Sequence, residues 1–366
     1  MVQAIVVADT NYDEKSNDGR GTDQSKHSSR SYTLEEALQE TRIGKCQYIL
    51  TFLTGISVLG STIENTNISY ILPYAKCDLN LSTEEQGLLS GISYLGIVFT
   101  SHAWGFLADT WGRQKVLHAS AVGAFICSFL SAFAMDTITL IVLRFLAGAF
   151  AAGASSGGYS YISEFHTVAT AARSAAFVSI ALSAFWVFMS PLAIAIVPMD
   201  WSFYIFTLEY KPWRFFLTCT TIINLISAIV FTFMPETPKF LAAVGRKEEA
   251  VKVLSRMYAI NTGEPKEKYP VKSIENVTIG NNLSDAKGIC DFLSLVIEQT
   301  KPVLQKPLFT NTWKLCYIIL VMFSIGHGTF MWFPDFLMQL QRYEGIPKTL
   351  CEIVGPKAVV SSSAYV

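Results

Sequence analysis

Charge is what this sequence has least of. Only 16% of its 366 residues are Asp, Glu, Lys or Arg, against about 25% in soluble domains. The 28 basic and 29 acidic side chains nearly cancel, for a formal net charge of −1. No basic block exists to neutralise phosphates, which excludes a nucleic-acid partner. Cysteines at 46, 77, 127, 219, 290, 316 and 351 show no metal-ligand spacing. Most fall in or beside apolar runs, where a thiol acts as a small hydrophobe. A Cys77–Cys351 disulfide is conceivable if both face the exterior. A cleavable signal peptide is also missing, because the first 30 residues are polar. The first apolar run, near Gln47, is therefore expected to act as an uncleaved anchor. Phosphate-loop, metal and nucleophile motifs are absent. That points away from a pump or an enzyme and calls for neither cofactor nor metal.

What is present is apolar. Hydrophobic residues make up 51% of the chain and mean hydropathy is +0.35, the composition of a polytopic membrane protein. Seven runs are long enough to cross a ~30 Å hydrocarbon core as helices: 47–72, 87–107, 116–134, 137–161, 174–197, 215–233 and 315–340. The expected organisation is a disordered cytosolic tail with a short amphipathic helix over 1–46, then a six-helix transmembrane half over 47–234. A cytosolic linker follows at 235–312, a seventh span at 313–340 and a polar C-terminal tail at 341–366. Thr33-Leu34-Glu35-Glu36 has the spacing of a helix capping box. Arg30, Arg42 and Lys45 before the first span, and the Lys- and Arg-rich linker, place the N-terminus and linker in the cytosol. Asn80-Leu81-Ser82 is then an external glycosylation sequon, while those at Asn276 and Asn282 are cytosolic.

Polar stripes on spanning helices mark cavities or internal partners, because lipid penalises them. On the first span Thr54, Ser57, Ser61 and Glu64 share a face, continued by Asn67 or Ile68. A charged Glu64 at mid-depth costs about 2.5–3.5 kcal/mol on insertion scales. Two readings stay open for it: a cation or proton site coupled to a solute, or a neutral, hydrogen-bonded Glu near the outer interface. On the fourth span Arg144 lies about 10 Å in from Thr137, with Ser155 and Tyr159 on its face. Gly148, Gly153 and Gly157 allow close helix contact there, as do Gly87 and Gly91 on the second span. These Gly-rich faces also suit homo- or hetero-association. Ser179, Ser183, Trp186 and Ser190 stripe the fifth span; Ser324, His327, Met331 and Asp335 stripe the seventh. For His327, packing competes with a cavity-lining role.

Between the second and third runs lies Gly105-Phe106-Leu107-Ala108-Asp109-Thr110-Trp111-Gly112-Arg113-Gln114-Lys115. So short a link forces an antiparallel hairpin, with Gly112 allowing the tight turn. It resembles the signature loop of the major facilitator superfamily, with Thr110 and Gln114 where basic residues usually stand. Arg144 followed by a Gly-rich helix ending in Tyr161-Ile162-Ser163-Glu164 resembles the fourth span of sugar porters. Ala147 replaces that family's Gln, which weakens a proton-coupling analogy. Pro235-Glu236-Thr237-Pro238-Lys239 and Gly245-Arg246-Lys247-Glu248-Glu249-Ala250 resemble the pair of motifs after the sixth span in sugar porters and organic-ion relatives. In that frame Pro238 ends a helix and Glu236 serves as a charged lock. The tract from Gly44 to Lys115 is most similar to the synaptic vesicle glycoprotein 2 branch.

The resemblance implies an all-α membrane protein: a six-helix half of two three-helix repeats plus a seventh span, with five further helices missing. It implies a secondary carrier that moves a small organic solute or ion by alternating access, in a plasma or secretory/synaptic-type vesicle membrane. Asp109, Gly112, Arg113, Glu164, Arg173 and Glu236 would form a gating charge network at the inner mouth. Ser57, Ser61, Glu64, Arg144, Ser155, Tyr159, Trp186, His327 and Asp335 are the cavity-lining candidates. The rivals are a non-transporting vesicle-type glycoprotein or truncated regulatory isoform, and a seven-helix receptor, which predicts an external N-terminus.

Overall fold

The computed structural model describes residues 31–275, 301, 305–306 and 308–341. The sequons at Asn276 and Asn282, Cys351 and the tail after Gln341 lie outside the described residues. Helix α1 (Leu34–Glu40) opens on the anticipated capping box: Thr33 N–H donates to Glu36 Oε2 at 2.9 Å and Glu36 N–H to Thr33 Oγ1 at 3.2 Å. Then come α2 (Lys45–Leu79), α3 (Thr83–Thr110), α4 (Arg113–Ser131), α5 (Thr137–Ser163) and α6 (Val168–Ile196). A hairpin of β1 (Phe203–Ile205) and β2 (Leu208–Tyr210) leads to α7 (Pro212–Phe233), α8 (Pro238–Ala243) and α9 (Lys247–Thr262). The last helix is α10 (Leu308–Gln341).

Several boundaries differ from the apolar runs, each for a local reason. Helix α2 continues seven residues past Leu72 with Pro73 in its interior and stops only at Asn80, which takes the left-handed conformation (φ 51). Helix α3 starts before its apolar run because Ser82 and Glu85 form a second capping box. Pro238 does not end a helix but begins one, at the first position of α8, where its missing N–H costs nothing. The hairpin falls between the fifth and sixth apolar runs, where the sequence marks no element. Its aromatic and aliphatic residues pair there, Phe203 with Tyr210 and Ile205 with Leu208.

By length and hydropathy alone, α2, α5, α7 and the Leu308–Phe333 part of α10 suffice to cross a membrane. Helices α3 and α4 are 28 and 19 residues long, but Ser, Gly and His dilute their apolar character. Small residues set the tightest crossing, between α3 and α5. A Cβ on Gly96 would fall onto the Phe145 carbonyl oxygen, and one on Gly148 onto the Ser93 backbone. Trp104 then donates to the Ala149 carbonyl at 2.7 Å. The α5 glycines 148 and 153 therefore face α3 and α4 within this chain, while Gly91 faces open space.

Two apolar cores fill the bundle. The one at the end away from the α3–α4 turn includes Ile63, Ile71, Leu72, Leu140, Phe216 and Leu217. The other joins Leu50, Val58, Tyr161 and Phe231 to Ala37, Leu241, Leu254, Met257 and Ile274. Thus α1, α8, α9 and the start of the linker share a core with the helix ends. Asn261 on α9 fastens this plate to the α1–α2 junction. Its Oδ1 accepts from Cys46 N–H at 2.9 Å, and its Nδ2 donates to the carbonyls of Thr41 (3.0 Å) and Arg42 (2.7 Å). Asn261→Ala strips these partners at once and is expected to cost about 1–3 kcal/mol. Thermal unfolding should show a lower Tm, with faster amide exchange at 41–47; unchanged exchange there would contradict the clamp.

Candidate functional site

Two charged centres sit at different depths. The deeper one is fully enclosed. Arg144 on α5 and Glu64 on α2 are 0% and 1% exposed and meet at 2.8 Å. The Arg144 guanidinium also donates to Asn67 Oδ1 at 2.8 Å and Ser131 Oγ at 2.6 Å. Glu64 Oε2 accepts from Asn224 Nδ2 on α7 at 3.2 Å, and Asn67 donates to Thr220 Oγ1 at 3.2 Å. Four helices, two from each three-helix repeat, therefore close on one ion pair. Glu64 lies mid-helix in α2, 15 residues, roughly 22 Å, before its end at Leu79. Ser57 and Ser61 lie on the same buried stripe, at 1% and 2% exposure. Ser61 bonds the Val58 carbonyl, whereas the Ser57 hydroxyl has no partner among the described residues. These four candidates are packed inside the bundle, not against open space.

The second centre is at the α3–α4 turn. Arg113 contacts Glu164 Oε1 at 2.7 Å and Asp109 Oδ1 at 2.9 Å, and donates to the Ala108 carbonyl at 3.0 Å. Thr237 Oγ1 donates to the other Glu164 oxygen at 2.7 Å. Glu236 Oε1 accepts from the backbone N–H of Gln114 (3.1 Å) and of Thr237 (3.0 Å). The turn depends on Gly112, whose φ is +109 and whose missing Cβ leaves room for the Glu236 carboxylate. Burial pushes the Glu164 carboxyl above the usual range, with Arg113 and the Thr237 bond opposing it. Arg173 does not join. It is exposed on α6 and makes no ion pair among the described residues, because Arg113 and Thr237 already satisfy Glu164.

Of the remaining candidates, His327 lies where α10 meets α3. Tyr94 OH lies 3.3 Å from His327 Nδ1, with the Phe323 ring stacked on the imidazole at 4.7 Å. Tyr70 bonds Ser190 at 3.2 Å and packs edge-on against Phe330. Ser155 and Tyr159 are half-buried, Ser155 bonding the Ala152 carbonyl at 3.1 Å. The side chains of Trp186 and Asp335 lie outside those described. Among the described residues, no group of three His, Cys, Asp or Glu side chains is placed to hold a metal. Asn224, Ser131, Tyr70 and Tyr94 had escaped the sequence reading, and Thr237 and Gln114 had entered it only as motif positions. Asn224, a lone amide in an apolar run, was the one signal available.

The Major Facilitator Superfamily model matches residues 50–362. The chain belongs to the Major Facilitator Superfamily. It is an integral membrane protein with the six-helix half and one further span of that fold. It is 29% identical over 333 residues to mouse synaptic vesicle glycoprotein 2C, covering 85% of this chain and 45% of the relative. Against human synaptic vesicle glycoprotein 2B the figures are 27% over 332 residues, 86% and 48%. The chain thus spans about half the length of the curated relatives it matches. The inward-open xylose transporter XylE from E. coli aligns with a TM-score of 0.56 at 16% identity, over 80% of this chain and 64% of that one. A bacterial homolog of the human lysosomal transporter Spinster, inward-facing and unoccupied, aligns at 0.56 and 14% identity, over 86% and 60%. These alignments carry the Major Facilitator fold, in which the α3–α4 turn is the superfamily's signature loop.

Proposed function

We propose that this chain supplies the six-helix half of a secondary carrier, which binds a small organic solute or ion near the bilayer midplane and moves it by alternating access. The observation that carries this reading is the Arg113 latch. It ties the ends of α3, α4, α5 and α8 through exchangeable charge contacts, Asp109 at its rim being half-exposed and Glu164 buried. Contacts of this kind suit a mouth that opens and closes. The N-terminus and the linker lie in the cytosol, so the latch guards the inner mouth. The vesicle glycoproteins among its relatives favour a secretory or synaptic-type vesicle membrane over the plasma membrane.

The Glu64–Arg144 pair is the keystone that holds the two three-helix repeats in register. Solute contacts come from neutral groups, with Tyr94, His327, Ser155 and Tyr159 as the side chains of choice. Such a lining recognises its cargo by hydrogen bonding and ring stacking. The test is uptake by the purified chain in proteoliposomes, using tetraethylammonium, p-aminohippurate and D-xylose as cationic, anionic and neutral probes. Uptake of any one above protein-free vesicles supports a carrier. No uptake of all three by folded protein favours the non-transporting reading.

A further inference from the structure

The loop between α6 and α7 is short, yet it builds a hairpin whose tip is apolar. Its inner face is held by rings: Phe203 against Tyr210 at 5.3 Å, Trp201 parallel to Phe203 at 5.6 Å, and Phe133 against Tyr210 at 5.6 Å. Leu208 and Tyr210 are buried at 6% and 5%. The hairpin is therefore a rigid platform. Its two-residue turn, Phe206-Thr207, places Phe206 at φ 55, a conformation that favours Gly and is strained for a bulky residue. That Phe ring is 98% exposed, with Tyr204 at 72% beside it. A turn that should carry Gly or Asn instead presents an aromatic ring to its surroundings, so local folding is not what this residue serves.

The setting identifies the surroundings. The hairpin joins two membrane helices at the end opposite the Arg113 latch. Exposed apolar side chains stand on the elements that flank it: Phe188 and Ile194 on α6, Phe215 on α7, and Met135 after α4. Thr207 leans on Met135. Charge sits behind the tip: Glu209, directly across the hairpin from Tyr204, pairs with Lys211, which also pairs with Asp78. The face shared by Tyr204 and Glu209 is thus part polar and the Phe206 tip apolar, the division that aromatic residues exploit at a membrane–water boundary.

We propose that the Phe203–Tyr210 hairpin is an interfacial anchor, and that Phe206 and Tyr204 insert into the headgroup–acyl boundary of the leaflet opposite the latch. The occupant of this surface is lipid of the surrounding bilayer, contacted to a depth of about 5–10 Å. The anchor fixes the α6–α7 connection at the membrane surface while the opposite ends of these helices remain free to move.

The test places the environment-sensitive fluorophore NBD on Phe206→Cys, in a background without other cysteines, with the protein in phosphatidylcholine nanodiscs. Glu84→Cys, at the start of α3 on the same side of the bundle, is the aqueous control. The proposal expects blue-shifted emission at 206, quenching by shallow doxyl-phosphatidylcholine, and reduction by dithionite several-fold slower than at 84. Emission and reduction rates equal to those at 84 would overturn it. So would slow reduction without doxyl quenching, which would show protein covering the tip instead of lipid. Phe206→Asn tolerates the positive φ and keeps the hairpin while removing the anchor. Amide exchange over 203–210 in nanodiscs should then rise several-fold, and unchanged exchange would also overturn the proposal.

Discussion

Glu64→Ala is expected to be the most damaging single substitution away from the backbone turns, lowering stability by about 3–5 kcal/mol. The pair lies where water does not reach, and removing the carboxylate leaves the Arg144 charge with only Asn67 and Ser131 as neutral partners. Asn224 simultaneously loses its acceptor. Most of the cost comes from the stranded charge rather than from the lost attraction, so removing both charges should be milder. Glu64→Leu combined with Arg144→Met is expected to recover much of the loss. Thermal unfolding in detergent of Glu64→Ala, Glu64→Leu, Arg144→Met and the double variant decides this. A double variant no more stable than Glu64→Ala would show that the pair is not a self-contained unit.

Arg113→Met is expected to cost about 3 kcal/mol near neutral pH, because it leaves the buried Glu164 without its ion-pair partner, and its effect should depend on pH. Glu164 is 6% exposed and already has its pKa raised by burial. Arg113 is the chief group holding that pKa down, so losing it drives the pKa higher still. A carboxyl whose folded-state pKa exceeds its unfolded value binds more protons when folded. Its fold is therefore weakened as pH rises through the window between the two values, and relieved as pH falls through it. The destabilisation should be largest at pH 8 and shrink toward pH 5. Parallel Tm profiles of wild type and variant over that range would mean that Glu164 does not depend on Arg113.

The contrast between these two centres explains what the sequence makes legible. Asp109, Gly112 and Arg113 are neighbours in the chain, so their hairpin turn is local information. Glu64 and Arg144 are 80 residues apart. Each stands out as a costly charge on a polar stripe, but a stripe does not say which neighbouring helix it faces. That α2 carries on through Pro73 was equally hidden, because apolar patterning marks the lipid-crossing part of a helix and not its extension into water. The pairing of Glu164 with Thr237 rather than Arg173 depends on how α8 folds back under α5, a long-range outcome. The 203–210 hairpin was missed for a different reason. Its turn carries Phe206 where a turn residue would have announced it.

The measurement that tests the carrier reading most directly is two-sided labelling of Ser155→Cys, in a cysteine-free background in sealed vesicles, by a membrane-impermeant maleimide. Alternating access predicts modification when the reagent is on either side alone, because the α5 face opens to each in turn. Modification from one side only, however long the exposure, would contradict it.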